Sequence, residues 1–389
     1  MLCGAPVLQS IESILKISMQ IAKPEIRIII PQLFQPLLLW QKDFRFTPVA
    51  ANLSRLLQNF ELVSSHGKTG IYASLFACAA YAERQELAIA YYRFLANTKY
   101  IKKGGDGYLD KTHQESLQKT AQKLKQKHIL CADPVHLEVG LNDMTLTRQI
   151  DDLQADEVNE CIDALNRHFQ QDGLEFLPAS RCQWYLLSDT ELVSQSTPLT
   201  EVLNKNIAHF LPASNHANWK MIQNEVQMIL HALPLNQKRE MAGLPTLNSL
   251  WFYGGGQPQE NTRKIDRVYA DSRGFENRGE LFSEIASCDY YPLPENSLGI
   301  LDGEASRQLI ILDQLEAPAL CDNLEEYQRQ LGILDDYLEA LMQLWRNGKI
   351  ELEIDPCNGK LLKPLKHSSW QFWKKKATSL TEIAREIAS

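Results

Sequence analysis

The sequence lacks the features that mark a membrane, secreted or nucleic-acid-binding protein. None of its 389 residues falls in a run approaching the ~20 apolar residues of a membrane span. The first residues carry neither a basic start nor an unbroken apolar core, so no signal peptide is read and a cytoplasmic protein is expected. Positive charge is in deficit: 40 Lys and Arg against 48 Asp and Glu give a net charge of -8, with no general attraction to nucleic acid or an anionic membrane. The eight cysteines (Cys3, Cys78, Cys131, Cys161, Cys182, Cys288, Cys321, Cys357) form no CxxC pair and no Cys/His cluster. Their spacing therefore encodes neither a zinc site nor a redox pair, and reduced thiols are expected. A nucleotide loop is missing too, since Gly67-Lys68-Thr69 lacks the upstream glycine of a P-loop.

What is present is a 44% hydrophobic chain, enough for a large core and for two domains or one domain with a large insertion. The most informative stretch is Leu247–Tyr253 with Gly254, Gly255 and Gly256 behind it. Leu250, Trp251, Phe252 and Tyr253 are apolar on both sides of the strand period, as in a strand covered on both faces. We expect it inside a mainly parallel sheet, beside Ile26–Ile30 and Leu309–Leu315. The three glycines read either as a plain strand-to-loop turn or as a place where the backbone approaches a ligand closely, at the carboxyl end of a strand where α/β folds place their sites.

Around that stretch the pattern predicts an α/β fold, a mainly parallel sheet flanked by helices with a smaller α+β domain inserted. Residues 1–23 form an N-terminal extension, read either as an amphipathic helix (Val7, Ile11, Ile14, Leu15) or as upstream sequence of a chain starting at Met19. Residues 24–126 open the core with the strand Ile26–Leu33 and the Ala-rich helical stretch Ile71–Asn97. From 127 to 211 the order changes to strand, strand, helix, strand: Ile129–Val139 and Met144–Gln149 joined by the turn Gly140–Asp143, a helix over Asp156–Phe169, and Arg181–Leu187. Residues 212–376 return to the core with helix Trp219–His231, strands Arg267–Ala270 and Leu309–Leu315, the long amphipathic helix Leu324–Leu344 and a late hairpin around Pro356–Gly359. Residues 377–389 are a tail. Asp133 and His136, three apart on a strand, point to opposite faces and are expected to cap and pack. His231 is expected at the core or its rim, and Trp370, Phe372 and Trp373 to pack back on the core.

Four segments carry a resemblance to a known family: Ala132–Leu137 (ADPVHL), Asn224–Met228 with His231, Asn248–Gly256 (NSLWFYGGG) and the Trp370–Lys376 tail (WQFWKKK). Over about Lys23 to Lys376 the chain resembles the archaeal-type cofactor-independent phosphoglycerate mutases of the alkaline phosphatase superfamily, and more closely their RpfE-like proteobacterial relatives. The resemblance implies a phosphatase-like core with an inserted phosphotransfer domain, two divalent metals and a serine nucleophile. The implied ligand positions are changed here. The first strand ends Ile30-Pro31-Gln32, the segment Glu316–Asp322 carries no histidine, and the late Asp-His pair is matched at best by Lys366-His367. Ser64, Ser65 and Ser74 lack the nucleophile context. In the insertion Leu130 and Ala132 replace an Arg and an Asn, while Arg148 and Arg181 remain, and Asn236 matches an Asn before the Leu247–Tyr253 strand.

Two functions follow. The first is a catalytically degenerate mutase-like protein with a regulatory or small-anion-binding role, a phosphorylated small molecule being held by Arg148, Arg181, Asn236 and Gly254–Gly256, with no metal or cofactor expected. The second is an active mutase or phosphatase that uses Mn or Zn in a rearranged site.

Overall fold

The computed structural model describes residues 23–64, 69–79, 86–103, 109, 111–140, 143–214, 217–259, 261, 263–271, 277–301, 305–365 and 379–388. The expectations for residues 1–22, Ser65, Gly67-Lys68, Lys366-His367 and the Trp370–Lys376 tail lie outside them.

In chain order, β1 (Glu25–Ile29) leads to α1 (Leu37–Phe44), α2 (Ala51–Leu57) and β2 (Phe60–Ser64), then to α3 (Ile71–Cys78), α4 (Ile89–Lys102) and α5 (Lys111–Lys123). There follow β3 (His128–Val139), β4 (Met144–Gln149), α6 (Ala155–Phe169), β5 (Leu174–Pro178), β6 (Trp184–Ser188), α7 (Leu199–Val202) and β7 (Lys205–Asn206). The chain continues through α8 (Trp219–His231), α9 (Pro234–Met241), β8 (Ser249–Tyr253), β9 (Arg267–Ala270), α10 (Arg278–Ala286), β10 (Asp289–Pro292) and β11 (Arg307–Ile311). It closes with α11 (Glu316–Leu320), α12 (Leu324–Arg346), β12 (Glu351–Asp355), β13 (Lys360–Pro364) and α13 (Leu380–Ala388).

The described strands form two sheets. The first runs β10-β9-β11-β1-β12-β13-β2, parallel from β10 through β12 and antiparallel at β13 and β2. The second is antiparallel and is built on β3, which pairs with β6 through Cys131 and with β4 from Val135 onward. Cys131 and Val135 also pair with Tyr253 and Ser249, so β8 lies along the opposite edge of β3. Pro134, which has no N–H to give, sits where β6 ends and β4 begins.

This placement corrects one expectation. Leu247–Tyr253 is not beside Ile26–Ile30 in the parallel sheet; its strand joins the antiparallel sheet as an outer strand. The inference that both faces are covered was sound, because Leu250, Trp251, Phe252 and Tyr253 are all buried. Apolar residues on every position report coverage, and they do not say which of two covered sheets the strand enters.

Side-chain alternation sorts the molecule into layers. On the outer side of the parallel sheet, Ile26, Ile28, Ile310 and Ile354 pack against Trp40, Leu53 and the stripe Leu331, Leu334, Leu338, Leu341 of α12. That stripe is the i, i+3, i+7 face read from the sequence. On the inner side, Ile29, Leu309 and Ile311 share a core with α3, α4 and α10, and the same core takes in Cys131, Tyr185, Trp251 and Tyr253 of the second sheet. The far face of the second sheet, with Leu250, Phe252 and Leu186, is covered by Val158, Cys161 and Leu165 of α6 and by Ile222 and Val226 of α8. The two sheets thus share one middle layer of helices.

An ion pair bolts that layer to the second sheet. Arg93 of α4 is 1% exposed and Asp133 of β3 is 0% exposed. The guanidinium meets both carboxylate oxygens at 2.7 Å, and the Tyr253 hydroxyl donates to the same carboxylate at 2.8 Å. The guanidinium also lies 5.1 Å from the Tyr185 ring centroid. Removing one member of such a pair leaves a buried charge uncompensated. Arg93→Met should therefore cost about 3–5 kcal/mol in urea unfolding, and the double variant Arg93→Met/Asp133→Leu should lose less than the single one. Equal losses would show that the two residues do not act as a pair.

Candidate functional site

Open α/β sheets place their clefts at the carboxyl ends of parallel strands. Here β1 runs out at Ile30-Pro31-Gln32, β11 at Asp313 with Glu316 opening α11, and β12 at Asp355-Pro356-Cys357. From the second sheet, α7 and the residues up to Lys205 come across these ends. Between them is a cleft of about 420 Å³ whose walls include Gln32, Gln35, Trp40, Glu201, Lys205 and Glu316.

Behind its walls, the buried polar groups at the strand ends are bound to one another. Asp355, 1% exposed, accepts the Ser74 hydroxyl at 3.0 Å and the Cys357 N–H at 2.9 Å. Burial pushes the Cys357 thiol up, away from the thiolate form. Arg278 is buried between Asp313, at 3.2 Å, and Glu316, with which it forms a closer ion pair. Burial raises both of those carboxyls and the guanidinium opposes it. Among the described residues no group of three or more His, Cys, Asp and Glu is disposed to hold a metal ion. Asp313 and Glu316 face the Arg278 guanidinium and Asp355 faces the Ser74 hydroxyl, and this set does not fit a pair of divalent metals.

Glu201 is the group least committed by its surroundings. Burial pushes its carboxyl up to about 7, with Lys205 lowering it and Glu316 raising it further. It lies over Gly70, whose φ of +96° suits glycine, and where a Cβ would stand 2.3 Å from Glu201 Oε1.

A larger cavity, about 620 Å³, opens at the amino ends of the same strands. Its charges cancel locally. Glu353 holds Arg27 at 2.6 Å and Lys363 at 2.8 Å, and Glu25 holds Arg307 at 3.0 Å and Arg263 at 3.6 Å. The strand-end cleft, with its raised carboxyl, is the stronger candidate despite its smaller size.

The residues singled out from the sequence lie elsewhere. Arg148 is opposite His136 on β3, half-exposed and 3.8 Å from Asp151, and Arg181 is exposed in the turn before β6. Gly254 follows Tyr253, which is opposite Cys131, so Arg148 and the glycines are separated by about 17 Å of strand at ~3.3 Å per residue. Asn236 is a structural clamp: it bonds the Leu230 and Leu247 carbonyls and receives the Leu247 N–H, each at 2.8 Å. The Gly255 N–H is given to Glu86 and the Gly254 N–H to Ser196, so neither is open to a ligand. Asp133 packs as expected, though into an ion pair, and His136 Nδ1 meets the Thr246 carbonyl at 2.7 Å. Arg278, Asp355 and Glu201 have no sequence signal of their own, because each acquires its setting from segments distant in the chain.

The raised Glu201 carboxyl has a sign that can be tested. Between its ordinary range near 4.5 and about 7, the folded protein keeps a proton that the unfolded chain releases, so this group makes stability fall as pH rises through that window. Urea melts from pH 5 to pH 8 should show a smaller loss for Glu201→Gln than for the wild type. Identical pH profiles would mean that Glu201 titrates normally.

No protein-family profile matches the chain, and no curated protein matches it. Among solved structures it is similar to the PH0037 protein of Pyrococcus horikoshii, at 12% identity with 88% of each chain covered and a TM-score of 0.48. It is also similar to the cofactor-independent phosphoglycerate mutase of Thermoplasma acidophilum, at 13% identity over 93% of this chain and 94% of that one, with a TM-score of 0.35.

Proposed function

We propose that the chain is a phosphoglycerate-mutase-like protein that does not carry out the mutase reaction and instead binds a small phosphorylated molecule in a regulatory role. The observation that carries this reading is Arg278, a fixed cation between Asp313 and Glu316 at the strand ends. Phosphomonoester transfer needs very large transition-state stabilisation, and in the family that the sequence resembles it comes from two metals and a serine. A guanidinium held by two buried carboxylates cannot open a coordination position. Nor is Ser74 placed to attack: it is fully buried and its hydroxyl proton is directed at Asp355.

The binding role falls to Arg148 and Arg181. Their chain neighbours Gln149 and Cys182 are joined by a 3.0 Å hydrogen bond, which brings the two arginine-bearing segments to one region of the second sheet, where guanidinium forks suit a phosphate.

The experiment is a coupled assay for interconversion of 3- and 2-phosphoglycerate with added Mn²⁺, run beside elemental analysis of the purified protein. No turnover and no stoichiometric Mn or Zn is the expected result. Turnover abolished by a chelator would overturn the reading in favour of a working phosphomutase or phosphatase with rearranged ligands.

A further inference from the structure

Glu86 is held by neutral groups alone. Glu86 Oε2 receives the Ser196 N–H at 2.7 Å, and Oε1 receives the Gly255 N–H at 3.0 Å together with the Ser196 hydroxyl. That hydroxyl in turn accepts the Gly254 N–H at 2.8 Å. Burial disfavours the charge on Glu86, and what opposes burial is hydrogen bonding from Ser196, Gly255 and Gly254. Backbone N–H groups converging with a hydroxyl on two carboxylate oxygens make an anion nest. The glycines then have a physical reason: Gly256 donates to the Leu87 carbonyl at 3.0 Å, Ala90 donates to the Gly254 carbonyl at 2.9 Å, and a Cβ on Gly256 would meet the Glu86 carbonyl oxygen at 2.5 Å. The strap Glu86–Ala90 lies on the glycines backbone to backbone.

We propose that the Ser196–Gly255 nest is a small-carboxylate site occupied by the chain's own Glu86, and that this internal ligand is the latch holding the strap Glu86–Ala90 onto Gly254–Gly256. The chemistry selects a planar, two-oxygen anion the size of formate, since one oxygen faces the Gly255 N–H and the other the Ser196 N–H. A tethered carboxylate is present at a high effective concentration, so the wild type excludes free anions and only a chain without this side chain admits one. The latch joins the start of α4, the loop before α7 and the end of β8. It goes beyond the mutase question, because it stands whether or not the strand-end cleft turns over phosphoglycerate.

The test uses the full chain with Glu86→Ala, melted in sodium chloride that is progressively replaced by sodium formate at constant ionic strength. The variant is expected to melt several degrees below the wild type and to regain part of that loss in formate, while the wild type does not move. Glu86→Gln, which keeps the nest filled, should show no formate response. A formate shift in Glu86→Ala no larger than in the wild type overturns the proposal. Should Glu86→Ala not fold, Ser196→Ala serves, with amide hydrogen exchange at Gly254 and Gly255 expected to speed up about tenfold. Unchanged exchange there also overturns it.

Discussion

The arrangement of the molecule depends on the buried contact between Arg93 and Asp133. Two opposite charges are expensive to take out of water, and they are tolerated here because both carboxylate oxygens, the Tyr253 hydroxyl and two aromatic faces satisfy them. The pair fixes α4 against β3 and β8 at one rotation and one height. Since α4 also belongs to the core that covers the inner side of the parallel sheet, the second sheet inherits a defined position over the first. The crossing of α7 over the strand ends, and the cleft beneath it, follow from that position.

At the strand ends the same principle of internal satisfaction governs the chemistry. Asp355 is answered by Ser74 and by the Cys357 N–H, and Asp313 and Glu316 are answered by Arg278. Each pairing lowers the cost of burying a charge and removes a group from service as ligand or nucleophile. The glycine nest repeats the pattern with Glu86. In each of these places the buried charge is met by the chain's own side chains and backbone.

Much of the architecture was legible in the sequence because periodicity reports local exposure. Arg267–Ala270 is found as β9 with the bounds read from the pattern, and the stripe Leu331, Leu334, Leu338, Leu341 faces a core as its spacing requires. The strands on either side of residues 140–143 pair antiparallel, as the sequence pattern requires, and the late hairpin surrounds Pro356–Gly359. The pairing of β8 was not legible, because in a layered fold both sheets are covered on both faces. The site residues were missed for a related reason. Arg278 and Glu316 are 38 positions apart, and Glu86 and Gly255 are separated by 169. No spacing rule reaches across such distances, whereas the arginines attracted attention through a family resemblance and the glycines through their place behind a strand.

The claim that the two sheets are one cooperative unit built on a shared middle layer is tested most directly by native-state hydrogen exchange in low denaturant. Amides of Ile28 and Ile310 report the parallel sheet, and those of Cys131 and Phe252 report the antiparallel one. The account predicts that both sets merge into the same global unfolding isotherm. If the amides of Cys131 and Phe252 exchange through a separate opening of lower free energy, while Ile28 and Ile310 remain protected, the sheets fold independently and the account is contradicted.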